Sequence, residues 1–253
     1  MITSGNGIGI KNALGFGAVN ATLRARDATN DKDGDLDNGV IAHEYGHGVS
    51  IRLTGGAADS DCLSNDEQMG EGWSDWMALM LTMEPGDHGT DARGIGTYVI
   101  DEPTTGIGIR PAPYSTDFAV NDYTYGATNN QNQLPEEHGI GFVWATMAWD
   151  MTWALVDAHG FDPDMYHGTG GNNIAMQIMV DGLKLQPCSP GFVDGRDAIL
   201  RADTLDFGAA DACLIWNAFA PHGLGYSADE GSSFSRLDQT EAFDLPPGCE
   251  HIL

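Results

Sequence analysis

The sequence predicts an α+β protein that is predominantly helical, with a small irregular or β N-terminal part and a helical C-terminal lobe. Residues 1–38 are rich in Gly, Asn and Asp and show little helical periodicity, which favours loops and short strands. From Glu136 onward, apolar residues recur at helical spacing. The chain has 253 residues, of which 42% are hydrophobic, so it can bury a core. We expect one region with two lobes, about residues 1–135 and about 136–253.

Two helices are predicted in the first lobe. One covers about residues 37–53, and the glycine pair at 55–56 ends it. The other covers about residues 66–83 and carries apolar side chains at helical spacing. Residues 84–135 are rich in Gly, Pro, Asn and Thr, which predicts a long irregular stretch. Such a stretch inside a compact domain is usually functional.

The second lobe is predicted to be built on one buried helix. Residues 138–158 are apolar almost all round, which is typical of a central helix. Further helices are predicted at 172–186, 190–205 and 209–220. The polar tail, 225–250, is expected to pack as an extended strap.

The charge of the chain limits its partners. Lys and Arg number 11 against 37 Asp and Glu, giving a formal net charge of −26. Such a surface repels nucleic acid and anionic membranes, so neither is expected as a partner. No apolar run reaches the roughly 18 residues that a membrane span needs. High solubility explains the acidity better than a specific basic partner does, and we expect a monomer.

Four cysteines are present: Cys62, Cys188, Cys213 and Cys249. None forms a CxxC pair, which argues against a cysteine zinc site. Their even number favours two disulfides in an oxidising compartment, and the alternative is four buried thiols in a cytosolic protein. Sequence alone leaves three connectivities open. Pairing Cys188 with Cys213, which flank one helical segment, and Cys62 with Cys249 is favoured.

The segment His43-Glu44-Tyr45-Gly46-His47 is the central motif. Residues four apart lie on one face of a helix, so His43 and His47 can present two imidazoles to one metal ion. Glu44 then lies beside the metal, where it can reach a metal-bound water without ligating the ion. This arrangement is typical of zinc-dependent hydrolysis. The alternative is a surface histidine pair.

A catalytic zinc site needs a third protein ligand and one open position. The segment MGEGWSDW supplies that ligand as Glu71. Asp75 follows four residues later on the same helical face, where it can accept the distal N–H of a ligand histidine and fix its orientation. Taken alone, a Glu and an Asp at this spacing usually form a solvated face. Their position after the histidine motif favours the metal site.

These motifs together resemble the fungalysin family of secreted zinc peptidases, which are similar in core to the thermolysin-like enzymes. The resemblance runs from about Asp33 to Cys249, through DGDLDNG, GIRPAPYSTD, HGIGFVWA and GFVDGRDAIL. It implies a two-lobed, thermolysin-like catalytic region that binds one zinc. It also implies a secreted, extracellular metalloendopeptidase that acts on proteins or peptides.

Carried over residue by residue, the resemblance makes His43, His47 and Glu71 the zinc ligands and Glu44 the catalytic base. It also implies that His138, at the start of the apolar helix, stabilises the oxyanion across the cleft. The alternative for His138 is a capping or surface residue. Further candidates for the oxyanion are the tyrosines Tyr114, Tyr123 and Tyr125.

Arg110, in GIRPAPYSTD, resembles the arginine that binds a substrate carbonyl or supports the pocket. Its alternative is an ordinary surface ion pair. The family also has a signal peptide and an inhibitory propeptide, and this sequence shows neither, so we expect a fragment. Position 51 is Ile where the family commonly has Asn. The family's substrate-binding edge strand would match Asn12-Ala13 or Asn20-Ala21.

An acidic run, residues 31–37, resembles the start of a calcium loop. An EF-hand requires Gly at its sixth position and Glu at its twelfth, and these positions hold Leu36 and Ala42. A solvated acidic loop is therefore favoured over calcium.

Two functions of different class remain open. One is an active endopeptidase, and the other is a zinc-containing binding or structural protein. Glu44 favours the enzyme, because a structural site does not need it and usually fills four protein positions. An aminopeptidase is the alternative among enzymes, and it would need an anchor for a free amine.

Overall fold

The computed structural model describes residues 32–249, and this part of the chain is predominantly helical. Short 3-10 helices lie at Gly34–Leu36, Tyr125–Asn129 and Ala220–His222. The α-helices are α1 (Asn38–Leu53), α2 (Gly70–Leu81), α3 (Glu137–His159), α4 (Gly171–Leu185), α5 (Phe192–Phe207) and α6 (Ala212–Phe219).

Helix α1 has clear signals at both ends. The Asp37 carboxylate accepts hydrogen bonds from the backbone N–H groups of Gly39 and Val40, as an N-cap does. After the helix, Gly55 and Gly56 adopt positive φ angles of 76° and 86°, which glycine permits. A side chain at Gly55 would also collide with Cys62, because an added Cβ would lie 2.3 Å from its Sγ.

Helix α3 is the centre of the core. Most of its side chains are buried, including Phe142, Trp144 and Trp149, and α2, α4 and α6 pack against it. Helices α2 and α3 approach closely at a glycine pair, since a Cβ added to Gly72 would lie 2.2 Å from the Gly141 carbonyl oxygen. This contact sets the first turn of α2 against the second turn of α3.

The predicted helices are confirmed within a few residues at each end. The exception is α2, which begins at Gly70 rather than near residue 66, because the Gln68 side chain accepts the Gly70 N–H and Glu67 turns into the interior. Residues 84–135 are irregular apart from two isolated β-bridges, Arg93 with Tyr114 and Ile95 with Gly108, and the 3-10 helix at Tyr125–Asn129.

The predominantly helical class is confirmed, while the β part expected near the N-terminus lies mostly outside the described residues. The same holds for the Asn12-Ala13 and Asn20-Ala21 candidates. The division into lobes near residue 135 stays a prediction. Within residues 32–249, no helix combines the length and apolar character that crossing a membrane requires.

The favoured cysteine pairing is wrong. Cys62 bonds to Cys188 and Cys213 bonds to Cys249, with Cα separations of 4.5 and 5.2 Å. Cys188 and Cys213 lie beyond opposite ends of α5, whose 16 residues span about 24 Å. The loop after α1 instead packs beside Cys188, where the Ser189 N–H donates to the Cys62 carbonyl at 2.8 Å.

The two disulfides should differ in their contribution to stability. They join residues 126 and 36 positions apart. Chain-entropy arguments give about 5 kcal/mol for the longer loop and about 4 kcal/mol for the shorter. Unfolding of the paired Cys→Ser variants in urea should show the larger loss for Cys62 with Cys188. An equal or reversed order would contradict the loop-length argument.

Candidate metal centre

Three side chains from α1 and α2 converge on one point. Helix α1 presents His43 and His47 one turn apart, with their Nε2 atoms 3.1 Å from each other. Glu71, in the first turn of α2, places Oε2 3.1 Å from His43 Nε2 and Oε1 3.4 Å from His47 Nε2. The packing of α2 against α1 therefore assembles the triad that the sequence predicted.

The triad fits a tetrahedral metal ion. Ligand atoms at zinc distances of about 2.0–2.1 Å in a tetrahedron lie about 3.3 Å apart, close to the separations observed. Two imidazoles and a carboxylate are also a ligand set found in catalytic zinc sites. Among the described residues, the other group with three potential ligands is Asp59, Cys62 and Cys188. Its two sulfurs are joined in a disulfide, so they offer no thiolate.

Asp75 supports the triad through a hydrogen bond with His43. Its side chain is fully buried, and its carboxylate accepts a hydrogen bond from His43 Nδ1 at 2.7 Å. Arg110 donates through Nε at 2.6 Å and Nη2 at 2.8 Å, and the Tyr114 hydroxyl donates at 2.5 Å. Because Nδ1 of His43 is the donor, Nε2 can keep its lone pair for a metal.

The electrostatics follow from these contacts. Burial acts to raise the pKa of Asp75, but hydrogen bonds from His43 and Arg110 outweigh it and lower that pKa. Burial acts to lower the pKa of His43, yet its hydrogen bonds to Asp75 and Glu71 raise it to about 9. Glu71 has a lowered pKa, because hydrogen bonds to His43 and His47 overcome its burial. A metal cation would therefore compete with a proton on this triad.

Glu44 and His138 flank the triad. Glu44 lies next to His43 on α1 and is exposed to solvent. His138, in the first turn of α3, has Nε2 3.4 Å from Glu71 Oε2. Its Nδ1 is 3.5 Å from Glu136 Oε1, a charge-pair distance without hydrogen-bond geometry. A side-chain exposure of 42% leaves His138 open to solvent beside the triad.

The other candidate residues, Arg110 and three tyrosines, differ in their burial and in their hydrogen-bond partners. Arg110 is 7% exposed and also reaches Glu71 Oε2 at 3.4 Å, so it supports the two carboxylates and is not a surface ion pair. Tyr114 and Tyr125 donate their hydroxyls to buried carboxylates, those of Asp75 and Glu67. Tyr123 is partly buried, and its hydroxyl accepts a hydrogen bond from Gln133.

The acidic run near the start of α1 has a capping role. Asp33 accepts the N–H of Asp35, and Asp37 caps α1. Among the described residues, neither belongs to a group of three potential metal ligands. The calcium alternative at this run stays a prediction.

This fold and donor set form a candidate metal centre of the HExxH type with a downstream glutamate. A sequence model described as fungalysin metallopeptidase (M36) matches residues 20–228. The chain therefore belongs to the fungalysin metallopeptidase family, and membership of this family implies a metal.

Named relatives support this assignment. The chain is 43% identical over 226 residues to extracellular metalloproteinase 3 of Arthroderma otae, which covers 86% of this chain and 34% of the relative. It is 44% identical over 223 residues to extracellular metalloproteinase MEP of Neosartorya fischeri, which covers 85% of this chain and 34% of the relative. The chain thus spans about a third of the length of the curated relatives it matches.

The hydrogen bond from the Tyr114 hydroxyl to Asp75 was not predicted from the sequence. Replacing Tyr114 with Phe removes one donor from the buried Asp75 carboxylate, so the free energy of unfolding should fall by about 1–3 kcal/mol. Denaturant unfolding measures this loss. Tyr226→Phe is the matched control, because Tyr226 is 54% exposed. Equal stability of the two variants would show that the Tyr114 hydroxyl does not matter to Asp75.

Proposed function

We propose that this chain is the catalytic region of a secreted zinc metalloendopeptidase that hydrolyses internal peptide bonds of proteins. The observation that carries the proposal is the convergence of His43, His47 and Glu71 within 4.8 Å, with Glu44 beside them on α1. Three protein ligands leave one position open, as catalytic zinc sites require.

Zinc is the favoured metal because of the ligands. Two imidazoles and one carboxylate suit zinc better than calcium or magnesium, which prefer oxygen ligands alone. The Asp75 carboxylate behind His43 is the support that such histidines usually have. Calcium at the acidic run 31–37 is the weaker part of the cofactor proposal.

The chain's own residues would divide the reaction between them. Zinc bound at the triad would lower the pKa of a water to about 7 and polarise the scissile carbonyl. Glu44 accepts a proton from the attacking water and delivers it to the leaving amine. His138 donates a hydrogen bond to the oxygen where negative charge develops. Arg110 keeps Asp75 and Glu71 oriented toward the centre.

The alternatives are less well supported. A structural zinc site usually has four protein ligands, whereas Glu44 beside this triad serves catalysis. An aminopeptidase would need an anchor for a free amine, and no residue is assigned to that role.

The names of the relatives and the two disulfides support secretion. An inhibitory propeptide and a monomeric state complete the proposal.

Replacing Glu44 with Gln tests the proposal most simply. The change removes a base but no metal ligand, so the purified variant should keep about one zinc per chain and lose most activity on casein. His47→Ala should lose the zinc as well. Elemental analysis and a casein digestion assay measure both effects.

The matched control for this change is Glu84→Gln, since Glu84 is an exposed glutamate outside the centre. It should leave zinc content and activity unchanged. Casein cleavage by Glu44→Gln at the parental rate would remove Glu44 from the role of base. An unmutated chain that binds zinc and cleaves nothing would favour the structural alternative.

His138 has its own test. His138→Ala should lower kcat by about 10²–10³ while zinc content stays the same, because one donor to the oxyanion is lost. The effect should fall mainly on kcat, since the contact strengthens in the transition state. His167→Ala is the control, as the His167 side chain is 87% exposed. An unchanged kcat would transfer the role to Tyr123, whose hydroxyl is not committed to a buried carboxylate.

A further inference from the structure

A second group of carboxylates meets at the N-terminus of α5, outside the metal triad. Glu67 comes from the segment before α2, Asp194 from the first turn of α5, and Glu230 from the C-terminal segment. Glu230 Oε2 accepts the Asp194 N–H at 3.0 Å. Three segments that are far apart in sequence thus bring negative charge to one place.

Glu67 is the buried member of this group. The residue is 1% exposed, and its Oε1 accepts the Tyr125 hydroxyl at 3.0 Å. Its Oε2 is covered and has no hydrogen-bond partner among the described residues. A Cβ added to Gly191 would lie 2.7 Å from this oxygen and 2.5 Å from Glu230 Oε2. The unpartnered Glu67 oxygen and Glu230 Oε2 therefore lie on the same side of Gly191, close to each other.

A second oxygen nearby also lacks a partner. Asn65 is 4% exposed, and its amide nitrogen donates to the carbonyls of Pro190 and Ser233, each at 2.9 Å. Its Oδ1 is buried and accepts no hydrogen bond from the described residues. Buried oxygens without donors are rare in native proteins and call for an ion, a water or a proton.

The positive charge of Arg236 acts on Glu67 from a distance, while its guanidinium donates to backbone carbonyls. No basic side chain in residues 32–249 forms an ion pair with Glu67, Asp194 or Glu230. Burial raises the pKa of Glu67 to about 8, and the neighbouring carboxylates add to it despite the hydrogen bond from Tyr125. Burial likewise raises the pKa of Glu230 to about 7. The cluster therefore needs a counterion or a proton.

We propose that Glu67, Asp194, Glu230 and the Asn65 side-chain oxygen bind a divalent cation of the calcium class. Calcium takes six to eight oxygen ligands in irregular geometry at about 2.3–2.6 Å, whereas magnesium demands a tighter octahedron. The absence of His and Cys ligands from this set disfavours zinc. The ion would join the segment leading into α2, the start of α5 and the C-terminal segment, and so would brace the helix that carries Glu71.

The carboxylates must move closer together to bind one ion. Its three carboxylates do not all offer oxygens within 4.8 Å of one another, unlike the metal triad. Glu230 is only partly buried, so rotation of its side chain can bring its carboxylate toward Glu67. Calcium tolerates such adjustable ligands.

The test uses the full chain with the Glu44→Gln change, so that any self-digestion is limited whether or not zinc is bound. Thermal unfolding is followed while CaCl2 is added at constant ionic strength, with MgCl2 and NaCl as controls. Calcium at about 100 times its Kd should raise Tm by about 5–10 °C. Equilibrium dialysis with radioactive calcium should give one tightly bound ion.

Single substitutions then locate the ion. Glu67→Gln and Glu230→Gln should each weaken calcium binding at least tenfold and remove the rise in Tm. Asp157→Asn, at an exposed carboxylate near the end of α3, should keep both. Since Glu230 is partly exposed, its variant should fold even if Glu67→Gln does not.

Two results would overturn the proposal. A calcium effect that survives in Glu230→Gln would place the ion elsewhere on this acidic chain. If calcium gives no more than magnesium does, and Glu67→Gln is as stable as the parent or more so, protons and not a cation neutralise the cluster. Zinc content and activity do not enter either result, so the outcome is independent of the proposed function.

Discussion

The buried Asp75 carboxylate is the contact on which the rest of the centre depends. It lies out of reach of water and receives hydrogen bonds from His43, Arg110 and Tyr114. An ionised carboxylate in such a place is stable only when it is fully paired. The pairing fixes the ring of His43 and, through Arg110, the position of Glu71. Metal-binding geometry is thus supported from inside the core.

The helix packing sets the other half of the geometry. Glycines at 72 and 141 let α2 and α3 touch backbone to backbone. A larger residue at either position would push the helices apart, because an interior has no spare volume. The close approach of the two helices places His138 Nε2 3.4 Å from Glu71 Oε2. A residue proposed to act on substrate and a proposed metal ligand are therefore positioned by one contact.

The convergence of His43, His47 and Glu71 could be predicted from sequence because it depends on spacing along two helices. His43 and His47 are four residues apart and so share a helix face. Glu71 and Asp75 have the same spacing on the next helix. The Tyr114 hydrogen bond and the disulfide pairing depend on packing between distant segments, which spacing does not encode. Glu67 was missed for the same reason, since its partners come from α5 and the C-terminal segment.

Zinc binding by His43, His47 and Glu71 is tested most directly by X-ray absorption at the zinc edge on the zinc-loaded chain. We expect nitrogen and oxygen ligands at about 2.0–2.1 Å, scattering from two imidazoles, and loss of one imidazole in the His47→Ala variant if any zinc stays bound. Sulfur scattering at about 2.3 Å, or zinc with no imidazole ligand, would contradict it.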